Sequence, residues 1–146
     1  MKKINKVFLI IILFFIFHPA YAKKISIVYT VDNNPITSVQ INNEIIYLKL
    51  INKDINNMED EALVVYASKS ILKEKIKEVE ISKYFKLGLN DELVNQNMEN
   101  LIKSVGLGNL KEFENLLENL NLNIEFVKKK IEIELLWNQL IYEKYK

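Results

Sequence analysis

The sequence lacks cysteine and arginine, and its 146 residues include one histidine, His18. Without cysteine the chain forms no disulfide, no thiolate nucleophile and no cysteine-ligated zinc or iron–sulfur centre. Without arginine it has no side chain that binds a phosphate or carboxylate through two parallel hydrogen bonds. If residues 1–22, which include His18, are cleaved off as a signal peptide, no Ser-His-Asp or Cys-His site is possible either. The composition therefore disfavours an enzyme, and it predicts no catalytic residue, no metal site and no cofactor.

Residues 1–22 have the features of a secretory signal peptide. Three lysines within the first six residues precede an unbroken apolar run, Val7–Phe17. As a helix this run would be about 16 Å long, too short to cross a hydrocarbon core of about 30 Å. Small residues at Ala20 and Ala22 fit the pattern of a cleavage site. We predict cleavage after Ala22 and export to the periplasm, with an uncleaved membrane anchor as the alternative.

The predicted mature chain, residues 23–146, is one small domain of nearly balanced charge. Removing the three N-terminal lysines from 20 basic residues leaves 17 against 19 acidic residues, a net charge of −2. A nucleic-acid-binding protein would show a basic surplus or stripe, so this partner class is disfavoured. Once the signal peptide is removed, no membrane span is predicted.

The first part of this domain predicts a short strand or hairpin and then a helix. Ile25–Val31 alternates in the period of two that is typical of a strand, and Asp32–Pro35 is a turn signal. Ile36 can begin a short return strand. Thr37 and Gln40 have the spacing of a capping box that opens a helix. One apolar face of that helix comprises Ile41, Ile45 and Leu48, and an adjacent face comprises Val39, Ile46 and Leu50.

Four further helices are predicted, the first and longest over about Met58–Leu87. Gly88 is placed as its left-handed C-terminal residue, and Asn90, Asn109 and Asn123 are predicted N-caps of the three helices that follow. The apolar stripe of the long helix is Val65, Leu72, Ile76 and Val79. The next two helices have the stripes Val94, Met98, Leu101 and Val105, and Leu110, Phe113, Leu117 and Leu120.

The last predicted helix, residues 124–146, is apolar on two sides. One stripe comprises Ile124, Val127, Ile131 and Leu135, and the second comprises Phe126, Ile133, Trp137 and Leu140. Because a surface helix needs only one apolar stripe, we predict that the second one contacts a polypeptide: a client, a second subunit or a missing segment. The alternative is that Phe126 and Trp137 simply fill the core. The basic run Lys128–Lys130 is flanked by glutamates and predicts a solvated helix surface.

Four segments, in this order and spacing, carry a resemblance to a known family. They are Ile27–Thr37, Lys86–Leu93, Leu110–Phe113 and Phe126–Glu134. They are similar to the opening strand and turn, the glycine-containing junction and the last two helices of the N-terminal domain of SurA-type periplasmic chaperones. The resemblance implies a mainly α fold, with a short N-terminal strand or hairpin followed by about five helices. It also implies an ATP-independent holdase that binds unfolded outer-membrane β-barrel proteins.

The chain departs from that family after its last helix. SurA-type proteins normally continue into one or two parvulin peptidyl-prolyl isomerase domains and a final segment that packs back onto the N-terminal domain, whereas this sequence stops at Lys146. No isomerase residue carries over, so isomerase activity is not predicted for this chain. Apolar surface left without that segment would favour client binding or a homodimer. A truncated or split isomerase subunit and a structural adaptor for one fixed partner are the alternatives.

We expect the protein to lose residues 1–22 when a Gram-negative bacterium expresses it with its own N-terminal segment. Intact-mass measurement of the periplasmic fraction should give a chain that begins at Lys23. A variant with Ala20→Leu and Ala22→Leu should keep the segment, because signal peptidase requires small residues at those positions. Recovery of the unaltered chain at full mass in the membrane fraction would instead identify the uncleaved anchor.

Overall fold

The structure is a computed structural model that describes residues 25–88 and 91–146. The elements are β1 (Ile27–Val31), β2 (Asn34–Thr37), α1 (Ser38–Ile51), a 3-10 helix (Lys53–Asn57), α2 (Asp60–Ile81), α3 (Asp91–Ser104), α4 (Leu110–Asn119) and α5 (Ile124–Tyr145). The predicted mainly α fold, a short hairpin followed by five helices, is confirmed. The predicted signal peptide with its cleavage site after Ala22, and the predicted N-cap Asn90, lie outside the described residues.

The two strands form an antiparallel hairpin around the predicted turn. Asp32 and Asn33 have φ values of 45° and 63°, and positive φ at both central residues is what a type I′ turn requires. The register shifts between Ile27 and Tyr29, so Val28 forms a bulge. The pairs are Ile27 with Thr37, Tyr29 with Ile36, Thr30 with Pro35 and Val31 with Asn34.

The end of the hairpin is joined directly to the start of α1. The Thr37 hydroxyl accepts a hydrogen bond from the Gln40 N–H at 3.3 Å, and Gln40 Oε1 accepts one from the Thr37 N–H at 2.8 Å, which confirms the capping box. One residue further, the Ser38 N–H donates to the Ser26 carbonyl at 2.8 Å and Ser38 Oγ accepts from the Ser26 N–H at 3.2 Å. The hairpin therefore has a fixed orientation relative to α1.

Helix α1 lies between two hydrophobic clusters, and both of its predicted apolar faces contribute to them, except for Val39, which is exposed. One face packs with the hairpin, the 3-10 helix and α2, and the other with α3, α4 and the start of α5. The first cluster comprises Ile36, Ile41, Leu48, Ile55, Leu63, Ala67 and Ile71. The second comprises Met98, Ile102, Phe113, Leu117, Leu122 and Val127, with Ile46, Tyr47 and Leu50 of α1 packed against it.

The apolar stripe predicted for α2 is wrong at two of its four residues, whereas Leu72 packs against the first cluster. Val65 and Ile76 are 52% and 50% exposed. The buried side chains of α2 are Leu63, Ala67, Ser68, Ile71 and Ile81. The buried face thus includes two small residues, which allow the backbones of α1 and α2 to approach closely in the most extensive helix–helix contact of the described structure. A pattern of large apolar residues does not reveal such a face.

Helix α2 also ends earlier than predicted, at Ile81 instead of near Leu87. The N–H groups of Tyr84 and Phe85 both donate to the Ile81 carbonyl at 2.9 Å, which closes the end of the helix. Gly88 has the expected positive φ, 84°, but it lies in the connection to α3 and does not cap α2. Its N–H donates to Glu132 Oε1 at 2.6 Å, so the connection is attached to α5.

Helix α5 crosses the molecule and joins two clusters. Asn123 Oδ1 accepts from the Phe126 N–H at 2.8 Å, which confirms the predicted N-cap, and Asn109 caps α4 in the same way. Near its start, Val127 belongs to the second cluster. Further along, Ile133 and Leu136 form a third cluster with Ile81 of α2, against which Phe85, Leu87 and Trp137 pack. Both apolar sides of α5 therefore face the interior.

Enlarging the buried small residue of α2 should destabilise the fold. Ala67 is fully buried, so Ala67→Leu forces α1 and α2 apart and should lower the free energy of unfolding by about 1–3 kcal/mol. Ala62 is exposed on the same helix, so Ala62→Leu should change it by less than about 0.5 kcal/mol. Urea denaturation followed by circular dichroism measures both, and equal effects would contradict this account of the α1–α2 contact.

Candidate polypeptide-binding surface

The four residues predicted to bind a polypeptide do not form an exposed surface. Ile133 and Leu140 are buried, and Phe126 and Trp137 are half-buried. The Phe126 ring lies edge-on against Tyr47, with 5.8 Å between the ring centroids, and Trp137 packs on the third cluster. A client could contact Ile133 and Leu140 only if α5 moved away from its neighbours, and contact with the exposed parts of Phe126 and Trp137 stays a prediction.

A buried ionic cluster under α5 was not predicted from the sequence. Lys130 is 7% exposed, so the expected solvated position is wrong for this lysine. Its Nζ lies 2.5 Å from Glu44 Oε2 on α1, and it also contacts the carboxylate of Glu74 on α2. Glu44 Oε1 accepts a hydrogen bond from Ser70 Oγ at 2.7 Å. One ammonium group thus joins three helices.

Two aromatic rings complete the surroundings of this ammonium group. Lys130 Nζ is 5.0 Å from the centroid of the Tyr47 ring and 5.2 Å from that of Phe126, and both distances suit a cation–π contact. The position of Glu44 in the sequence could have indicated this buried cluster. Glu44 lies on the same stripe as Ile41 and Leu48, and a charged residue inside an apolar stripe indicates a buried partner of opposite sign.

Burial shifts the ionisation of the groups around Lys130. It raises the pKa of Tyr47 to about 12, with the nearby carboxylates of Glu44 and Glu74 adding to the shift. Burial also raises the pKa of the Glu74 carboxyl above its usual range, although Lys130 opposes this. A raised pKa means that the folded state holds the proton more tightly than the unfolded chain. Tyr47 therefore contributes stability that is lost as the pH rises from about 10 to about 12.

Further ion pairs align α2 with α5 at the surface. Lys77 Nζ lies 2.6 Å from Glu134 Oε1, and Lys129 Nζ lies 2.6 Å from Glu78 Oε1. With the Lys130–Glu74 contact, these pairs set the position of α5 along α2. Exposed pairs contribute little stability each, so the buried pair should matter most for this alignment.

The described chain has cavities, but their lining shows no catalytic arrangement. A cavity of about 660 Å³ lies between α3, α4 and the start of α5, over Met98, Ile102 and Ile124, with charged side chains of both signs. A second cavity, of about 390 Å³, opens beside the Lys130 cluster. Within residues 25–88 and 91–146, no three acidic or histidine side chains are grouped so that they could hold a metal ion.

Apolar side chains are exposed on β1, on α2 at residues 64–66 and near the end of α5. Ile25 and Ile27 are each 67% exposed, and Val28 and Tyr29 are each 43% exposed. Residues 27–29 are consecutive and all exposed, although β1 also lies beside α2. Contiguous exposed apolar surface marks interaction sites. Strand β1, which the sequence predicted as a strand, is therefore a candidate surface for a polypeptide partner.

Comparison with known proteins identifies no relative. No protein-family model matches the chain, and no significant match is found among curated proteins or solved structures. None of the helices in the described residues combines the length and apolar character needed to cross a membrane. The similarity to SurA-type domains therefore rests on the sequence segments alone.

Removing the ammonium group of Lys130 should strongly destabilise the protein. Lys130→Ala leaves the buried Glu44 carboxylate and the half-buried Glu74 carboxylate without this counter-ion, and the free energy of unfolding should fall by about 3–5 kcal/mol. Lys129→Ala, at the next position, removes a half-exposed pair with Glu78 and should cost at most about 1 kcal/mol. Urea denaturation of both variants is the measurement, and similar losses would show that the buried cluster has no special role.

Proposed function

We propose that this protein is an ATP-independent chaperone that binds unfolded outer-membrane β-barrel proteins in the periplasm and keeps them from aggregating. The observation that carries the proposal is the apolar strand β1, whose consecutive residues Ile27, Val28 and Tyr29 are exposed on a folded domain. The predicted signal peptide supports the compartment. The resemblance of four segments to SurA-type domains supports the class of client.

The size of this surface fits weak and reversible binding. Burial of apolar surface contributes about 25 cal/mol per Å², so covering about 300 Å² would contribute about 7 kcal/mol. Association costs about 4–15 kcal/mol in lost motion, which offsets most of that gain. A holdase has to release its client for folding, so a small apolar surface on a rigid support suits this role.

The described domain offers rigid support for such a surface. The hairpin is anchored by the buried Ile36 and by the capping box at Thr37, while the helices beneath it are packed into three clusters. The exposed residues of β1 are therefore presented without a rearrangement of the core. Binding by a surface that is already formed needs no nucleotide-driven step.

The test is suppression of aggregation without nucleotide. The protein, purified in the form that the bacterium produces, is present when a denatured outer-membrane β-barrel protein is diluted into buffer, and light scattering is followed against its concentration. We expect scattering to fall in proportion to the added protein, and to fall less for a denatured soluble enzyme. No suppression by a protein that is folded by circular dichroism would contradict the proposal. A single saturable complex with one partner only would point to an adaptor.

A matched pair of variants assigns the activity to β1. Ile27→Lys places a charge in the exposed strand and should weaken the suppression several-fold. Ile141→Lys makes the same change at an exposed isoleucine of α5 and should leave the suppression unchanged. Both residues are exposed, so both variants should fold. Equal loss in the two variants would mean that general surface charge, and not β1, controls the activity.

A further inference from the structure

The two outer edges of the hairpin differ in their hydrogen-bonding capacity. The two-residue turn makes Val31 and Asn34 a hydrogen-bonded pair, so Thr30 and Pro35 form the next, non-hydrogen-bonded pair. The backbone groups of such a pair point away from the partner strand. On the β2 side this position is Pro35, which has no N–H to offer. On the β1 side it is Thr30, whose N–H and carbonyl both point outward.

The β1 edge also lacks most of the features that protect natural edge strands. Residues 25–31 contain no lysine, no proline and no charged side chain, although edge strands commonly carry such residues to prevent pairing. The bulge at Val28 is a protective feature, but pairing within the hairpin resumes at Ile27, which pairs with Thr37. No strand of the described residues pairs with the outer edge of β1, although α2 lies beside β1, and the β2 edge is blocked at Pro35.

We infer that the outer edge of β1 binds an extended segment of an unfolded β-barrel protein as a third strand of the sheet. Main-chain hydrogen bonds at Thr30 would supply a contact that does not depend on sequence, and the exposed side chains of Ile27 and Tyr29 would cover apolar residues of the client. The inference rests on the proposed function and specifies how the client is held.

The dimensions of the edge favour a client over a second copy of this chain. The five residues of β1 span about 17 Å at about 3.4 Å per residue. Pairing two such strands would bury a few hundred Å², well below the roughly 1,200–2,000 Å² of a stable interface. A strand of an outer-membrane barrel has about 9–11 residues of alternating character. Such a segment is longer than β1 and can extend past it at both ends. Because the β1 edge is uncharged, it accepts both the polar and the apolar face of the segment.

The experiment uses a labelled ten-residue peptide copied from one strand of the barrel protein in the aggregation assay. Fluorescence anisotropy measures its Kd for the wild type, Thr30→Pro and Thr30→Val. Thr30→Pro removes the outward N–H and should weaken binding about tenfold, whereas Thr30→Val keeps the N–H and should change the Kd less than about twofold. Proline at this position matches Pro35 across the hairpin, and circular dichroism checks that the variant folds.

Hydrogen exchange of the unaltered protein gives an independent measurement. Saturating peptide should slow the exchange of the Thr30 backbone amide about tenfold or more. The exchange rate of the Asn34 backbone amide should not change, because Asn34 pairs with Val31 within the hairpin. Strand addition is wrong if the peptide leaves the exchange rate of the Thr30 amide unchanged and if Thr30→Pro binds the peptide as tightly as the wild type does. If aggregation is still suppressed in that case, the holdase proposal stands. Concentration-dependent protection of Thr30 without peptide would mean self-pairing and would overturn the choice of client. Absence of aggregation suppression contradicts the proposed function itself.

Discussion

The arrangement of the helices depends on one buried ammonium group. Lys130 of α5 contacts Glu44 of α1 and Glu74 of α2 beneath the rings of Tyr47 and Phe126. Moving three charges out of water is costly, and only close contact among them offsets that cost. A shift of α5 by one residue along α2 would separate the lysine from both carboxylates. The cluster therefore selects one position for α5, and the apolar clusters on either side pack around that position.

The hairpin, unlike α5, is mostly outside the core. Apart from Ile36, which is buried, and Val31, which packs against the first cluster, the large apolar side chains of the hairpin are exposed. Hydrogen bonds at Thr37 and Ser38 hold it to the start of α1. The molecule thus combines a tightly specified helical body with a strand that keeps its binding capacity unused within the described residues, and this contrast is the physical basis of the proposed function.

Local features of the fold were predictable from the sequence, and features that depend on neighbouring elements were not. The turn at Asp32–Asn33 and the caps at Thr37, Asn109 and Asn123 are set by side chains within a few residues of the backbone groups they serve. The buried face of α2 is set by what packs against it, so the pattern of large apolar residues included Val65 and Ile76, which are exposed.

The candidate site shows the same limit. The two apolar faces of α5 were recognised, but whether a face meets the core or a partner depends on elements far away in the sequence. Trp137 meets a cluster that includes Ile81, and no local pattern reveals that contact. The strand at residues 27–31 was predicted, but its exposure was not, because exposure is a property of the assembled domain. The charged stripe residue Glu44 was a usable signal for the buried cluster.

Pro35 has a consequence for how copies of this protein can associate. A hairpin with two open edges can pair on both sides and so form a link in an open-ended filament. Because Pro35 blocks one edge, this sheet can grow in one direction only. Each copy has one open edge, so pairing of two copies through β1 would occupy both open edges and end at a symmetric dimer. A chain with an exposed apolar strand is thereby protected from polymerising through that strand.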